Sequence, residues 1–157
     1  MPHRFKGRHK VRESGSKRAE KELMHSRGAA LTDKQDGIPF MKMLICEDEI
    51  GVVNILKRYL KYKGFDADHA LNGRAALELI KSRDYGIVFL DISMPELTGI
   101  EIMKHMKENH SKAKIIVLTG YPGVTSDFCV SMGADRYLEK PIDLKVIGEI
   151  VDKYTPS

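Results

Sequence analysis

The chain has little cysteine and no long apolar run. Its two cysteines, Cys46 and Cys129, form no CxxC pair and no disulfide framework. That excludes a thiolate metal centre and a small disulfide scaffold, and a reduced, cytoplasmic chain is the expectation. No apolar stretch approaches the roughly 20 residues that a membrane-spanning helix requires. The basic N-terminus lacks the apolar core of a secretory signal. A GxxxxGK[ST] loop and a GxGxxG fingerprint are also missing, which removes the common nucleotide-binding readings.

What remains is the composition of a globular domain: 157 residues, 42% hydrophobic and 31% charged. The charge is unevenly placed. Residues 1–40 hold ten Lys+Arg and five Asp+Glu, a net of +5, whereas residues 41–157 hold sixteen and seventeen, a net of −1. The basic character therefore belongs to an extension, and a nucleic-acid partner for the whole protein is not expected. Residues 1–40 are polar and lack apolar periodicity, apart from a helical turn or two over Lys17–Met24. They read as a basic, disordered extension. The folded domain is expected over 41–157, and Met41 itself reads as an alternative start.

From Met41 onward two periodicities alternate. Short apolar runs predict strands at Met43–Cys46, Phe65–Leu71, Gly86–Asp91, Lys114–Thr119 and Asp135–Glu139. Helical spacing predicts helices over Ile50–Lys63, Arg74–Arg83, Thr98–Asn109, Val124–Met132 and Ile142–Tyr154. Gly64 is placed to end the helix before it, and Asn72-Gly73 to make a turn. The second strand carries Asp66 and Asp68 and belongs near a sheet edge. The result is (βα)5, an α/β doubly wound parallel sheet with helices on both faces. Ligands of such sheets sit in the crevice beyond the strands' C-terminal ends.

Those ends carry the chemistry. Strand one runs into Glu47-Asp48-Glu49, strand three ends on Asp91, strand four ends on Thr119, and strand five is followed by Lys140-Pro141. Strand two ends in no comparable group. In a parallel sheet all of these lie on one edge. Crowded carboxylates repel unless a cation holds them, and a hard divalent ion with oxygen ligands, Mg²⁺ above all, suits them. A carboxylate beside such an ion can attack phosphorus and form an acyl phosphate. Glu49 alone reads as an acid at a helix start, and Cys46, Cys129, Met94 and Met103 read as buried packing residues.

The stretches "MLICEDE", "IVFLDISMPELTGIEIM", "IIVLTG" and "GADRYLEKPID", in this order, make residues 42–154 resemble a two-component response regulator receiver domain of the CheY-like, flavodoxin-like type. The resemblance implies the strand order 2-1-3-4-5. It implies that Asp91 is the phosphoacceptor, that Asp48 binds Mg²⁺ directly and Glu47 through water, and that Ser93 gives a backbone carbonyl to the metal. It further implies that Thr119 is the switch hydroxyl, that Lys140 pairs with the phosphoryl group, that Pro141 follows a cis bond, and that Tyr137 is the switch aromatic. Two positions depart from the pattern: Glu47 where Asp is frequent, and Gly120 where Ala is usual. Tyr121 is expected to line the route of attacking water and to slow autodephosphorylation.

The function implied is a phosphoacceptor switch rather than an enzyme with a separate substrate. It would be served by a sensor histidine kinase or histidine phosphotransfer protein and read by a downstream protein on the face of the fourth helix, fifth strand and fifth helix. The resemblance allows a phosphorylation-dependent dimer. With no second folded domain after the last helix, a stand-alone receiver is expected, as either a contact switch or a phosphorelay intermediate. A receiver-shaped module that is never phosphorylated is the alternative. Aspartate-nucleophile hydrolases need a DxD, and Asp91-Ile92-Ser93 lacks the second acid.

Overall fold

The computed structural model describes residues 41–156 and, before them, Lys34–Gln35 and Ile38–Pro39. These two short segments pair antiparallel, Lys34 with Pro39 and Gln35 with Ile38. The disorder expected over residues 1–40 and the helical turn at Lys17–Met24 otherwise lie outside the described residues.

The domain alternates strictly: β1 (Met43–Cys46), α1 (Ile50–Tyr62), β2 (Ala67–Ala70), α2 (Gly73–Ser82), β3 (Ile87–Asp91), α3 (Gly99–Glu108), β4 (Lys114–Thr119), α4 (Ser126–Ser131), β5 (Arg136–Glu139) and α5 (Leu144–Tyr154). The sheet runs β2-β1-β3-β4-β5 and every pairing is parallel.

Strand alternation divides the interior into two cores. Met43, Ile45, Ile87, Phe89, Ile116 and Leu118 face α1 and α5, where Val53, Leu56, Leu60, Ile147 and Val151 meet them. Leu44, Cys46, Val88, Leu90 and Val117 face the other way, onto Ala76, Ile102, Met103, Met106 and Cys129 of α2, α3 and α4. Cys46, Cys129, Met94 and Met103 are buried, as the sequence suggests.

Caps set the helix starts. Asn72 accepts from Ala75 N at 2.8 Å, so α2 begins at Gly73, inside the expected turn. Thr98 and Glu101 form a reciprocal capping box at α3. Thr125 caps α4 and Asp143 caps α5, which shortens both helices relative to their apolar patterns. Gly64 takes φ +93° just past α1, a left-handed position that glycine fills without strain. β2 is shorter than the expected Phe65–Leu71, because it pairs only with β1 and only over four residues.

Candidate functional site

β1, β3 and β4 deliver their C-terminal ends to one edge, where Cys46 pairs with Leu90 and Asp91 with Leu118. Thr119 pairs with Glu139 of β5, and its carbonyl accepts from Lys140 N at 2.9 Å. That bond brings Lys140 to the same edge. The Lys140–Pro141 peptide is cis.

Asp91 is held through both oxygens and is only 3% exposed. Ser93 N donates to Oδ1 at 3.0 Å, and Lys140 Nζ donates to Oδ2 at 3.3 Å. Lys140 also lies 2.7 Å from Glu47 Oε2 and 3.9 Å from Glu49 Oε1, so one ammonium faces three carboxylates. Glu47 is fully buried. Burial pushes its carboxyl up to about 7 against the pull of Lys140, and the neighbouring Asp91 charge adds to the rise. Burial works against the Lys140 ammonium too, but Glu47 and Asp91 outweigh it and hold its pKa above the ordinary lysine value.

The turn after β3 is packed tightly around Asp91. Gly99 N donates to Ile92 O at 3.0 Å, and a Cβ on Gly99 would sit 2.4 Å from Asp91 O. Gly73 N donates to Pro95 O at 3.0 Å, which ties the start of α2 to the same turn. Only glycine permits these two approaches.

Thr119 is buried, and its Oγ1 accepts from Tyr121 N at 2.9 Å. Tyr137 is half-buried and donates its hydroxyl to Val124 O at 3.1 Å. These residues border a cavity of about 450 Å³ beneath the β4–α4 loop. The Tyr121 ring is exposed and lies against Gly123, where an added Cβ would meet it at 2.5 Å.

The donor set suits a hard divalent cation. Glu47, Asp48 and Glu49 each offer a carboxylate oxygen within 4.8 Å of the others. Glu47 Oε2 is buried, and the Lys140 ammonium lies 2.7 Å from it. An oxygen-only cluster of three carboxylates fits Mg²⁺ rather than a softer metal. Asp48 is exposed beside Glu47 in this cluster, and Ser93 reaches Asp91 by its backbone.

Asp91, Glu47, Lys140 and the Ser93 N–H thus meet directly, and Asp48 joins them through the carboxylate cluster. Thr119 and Tyr137 line the neighbouring cavity, which Lys140 also borders. Glu49, read from sequence as a helix-start acid, is the N-cap residue of α1; its side chain makes no capping bond and also belongs to the carboxylate cluster. The run of three acids was its signal. Gly73 and Gly99 carry no local signal for their role.

The model of the response regulator receiver domain matches residues 43–152. The chain belongs to the response regulator receiver domain family. Sporulation initiation phosphotransferase F of Bacillus subtilis is 31% identical over 116 residues, which span 73% of this chain and 94% of that protein. Regulatory protein AtoC of Escherichia coli is 34% identical over 113 residues, 71% of this chain but 24% of its own length. The hybrid signal transduction histidine kinase F of Dictyostelium discoideum is likewise matched over only 11% of its length. The receiver therefore spans a small part of some relatives and nearly all of another. Among solved structures, response regulator TrrA of Thermotoga maritima, in complex with Mg²⁺-BeF, superposes with a TM-score of 0.67 at 34% identity, covering 73% of this chain and 99% of that one.

Proposed function

We propose that this receiver is a phosphoacceptor switch. Asp91 takes a phosphoryl group from a phosphohistidine on a sensor histidine kinase or a histidine phosphotransfer protein. The observation that carries this reading is the single ammonium of Lys140 set between buried Asp91 and buried Glu47. A carboxylate oxygen of Asp91 attacks phosphorus, the P–O bond forms as the P–N bond breaks, and the bonding pair returns to the histidine nitrogen. Lys140 is placed to neutralise the phosphoryl oxygens, and the Ser93 N–H orients the attacking carboxylate. Glu47, Asp48, Asp91 and the Ser93 carbonyl are the groups that would hold Mg²⁺. When bound, the ion supplies further positive charge against the phosphoryl group.

Thr119 and Tyr137 are the switch pair. Release of the Thr119 hydroxyl from Tyr121 N frees the β4–α4 loop, and Tyr137, anchored on Val124 of that loop, follows. The surface formed by α4, β5 and α5 is then read by a downstream protein or by a second receiver. The chain supports its own phosphotransfer and autodephosphorylation and needs no other substrate. We place residues 41–157 as the receiver unit. A cytoplasmic setting fits its two free, buried thiols.

The test is phosphoryl incorporation from acetyl phosphate, read by intact mass, for the wild type and Asp91→Asn, with and without Mg²⁺. One phosphoryl group that requires both Asp91 and Mg²⁺ is the expected result. No incorporation by folded, Mg²⁺-binding protein would replace this reading with that of an interaction module that is never phosphorylated.

A further inference from the structure

At the end of the sheet opposite Asp91, a groove of about 910 Å³ runs between the C-terminal ends of α2 and α3. Its floor includes Ile80, Tyr85, Val88 and Met106. Its rim is cationic: Lys81, Arg83, Lys112 and Lys114 stand against one lining carboxylate, Asp84. Asp68 engages Arg83 at 2.9 Å, and Asp135 lies 3.8 Å from Lys114. Lys81 and Lys112 are exposed and have no ion-pair partner among the described residues.

The chain enters the domain at this groove. Met41 lines it and lies directly on Gly86, where an added Cβ would meet the Met41 side chain at 2.2 Å. Gly86 N donates to Lys42 O at 2.8 Å and fixes that entry. The eight residues just before it, DKQDGIPF (33–40), carry two Asp and one Lys and end in Ile38-Pro39-Phe40. Residues 1–32 differ sharply, with nine Lys+Arg and three Asp+Glu. The acidic and apolar part of the extension is thus the part beside the basic, apolar-floored groove. Within it Lys34 pairs with Pro39 and Gln35 with Ile38, and the intervening sequence, Asp36-Gly37, is of the kind that favours a two-residue hairpin turn. A lone two-stranded hairpin is marginal in water and gains stability by packing on something.

We propose that residues 33–40 fold back onto this groove. Ile38 and Phe40 cover its apolar floor, and Asp33 and Asp36 face Lys81 and Lys112. Attachment at Met41 gives the segment an effective concentration on the order of 1 mM, so an intrinsic Kd of about 0.1 mM suffices to fill the groove roughly ten-fold over leaving it open. Docking there leaves the acidic pocket uncovered and displays the strongly basic residues 1–32 at the pole away from Asp91.

The experiment is amide hydrogen exchange by mass spectrometry on the full chain, with the double variant Asp33→Lys/Asp36→Lys and, separately, Ile38→Ser/Phe40→Ser. Both pairs lie before the folded domain. Peptides covering 80–86 and 105–114 should exchange several-fold to about ten-fold faster in both variants, at a rate independent of protein concentration. The peptide covering 119–125 should not change. Carbodiimide coupling should join Asp33 or Asp36 to Lys81 or Lys112 within one molecule. Equal exchange in wild type and variants would overturn the proposal. Protection that grows with protein concentration would also overturn it, by assigning the groove to a second copy.

Discussion

Replacing Gly99 with alanine tests whether Asp91, the proposed phosphoacceptor, is positioned by backbone packing. The added methyl would lie 2.4 Å from Asp91 O, 2.9 Å from Ile92 Cα and 3.1 Å from Asp91 C, against an ordinary contact of at least 3.4 Å. About 1 Å must be recovered, and every opposing atom is backbone, so no side chain can swing aside. α3 cannot yield easily, because its capping box and the buried Ile102, Met103 and Met106 hold it. The shift falls on Asp91 and Ile92. Overpacking of this kind costs about 1–3 kcal/mol, and the alanine returns at most about 1 kcal/mol in helix propensity. Net destabilisation should be about 1–2 kcal/mol, a drop of about 1 M in the urea midpoint at unchanged slope. A displacement near 1 Å at the reacting carboxylate should slow phosphoryl incorporation from acetyl phosphate by up to about 100-fold. Gly51→Ala is the control. It lies in α1 with nothing within 4 Å of the added methyl, and it should be neutral or stabilising. If Gly99→Ala raised the midpoint as Gly51→Ala does and left the rate unchanged, the packing argument would be wrong.

Glu47 has a folded-state pKa raised to about 7 from an ordinary 4.5, so its contribution is fully present below pH 4.5 and is lost as pH rises through 7. Urea midpoints in Mg²⁺-free buffer should fall across that window, and Glu47→Gln should flatten the profile. Lys140→Met leaves Glu47 and Asp91 facing each other without a cation, and should cost about 2–3 kcal/mol at pH 8 and clearly less at pH 5, where Glu47 is protonated. Tyr85→Phe removes the 2.7 Å hydrogen bond to Asp68 Oδ2 and should cost about 1–2 kcal/mol by urea titration. Burial opposes ionisation of Asp68, but Tyr85, Lys42 and Arg83 outweigh it and hold its pKa below the ordinary value. The Tyr85→Phe loss should therefore shrink as pH falls through the Asp68 titration. Tyr121→Ala should shorten the phosphoryl lifetime on Asp91, followed by intact mass after acetyl phosphate is removed, and an unchanged lifetime would remove Tyr121 from the hydrolysis step.

The sheet is legible in the sequence where burial on both faces leaves unbroken apolar runs, as in MLIC, IVFLD and KIIVLT. The pocket is legible for a related reason: a parallel sheet sends every strand end to one edge, so reading the residue after each run collects Glu47, Asp91, Thr119 and Lys140. Contacts between distant segments are not legible. Asp68 reads as a mark of an exposed edge, yet it is the acceptor for Tyr85, seventeen positions away, and for Arg83. Gly73 and Gly99 look like ordinary helix-start residues until the β3–α3 turn is folded against them. The ends of α4 and α5 are set by Thr125 and Asp143, single polar side chains that an apolar periodicity overruns.

The division of the interior into two cores bears on how this molecule can report a change. Tyr137 packs against the α2–α4 core, its hydroxyl held on the loop that follows Thr119, whereas α5 packs in the α1 core on the other side of the sheet. The sheet stands between them like the beam of a caliper. Under the switch proposed above, α4 would be the sliding jaw and α5 the fixed one. A partner spanning both would then sense the gap between them and ignore any tumbling or flexing that carries the two jaws together.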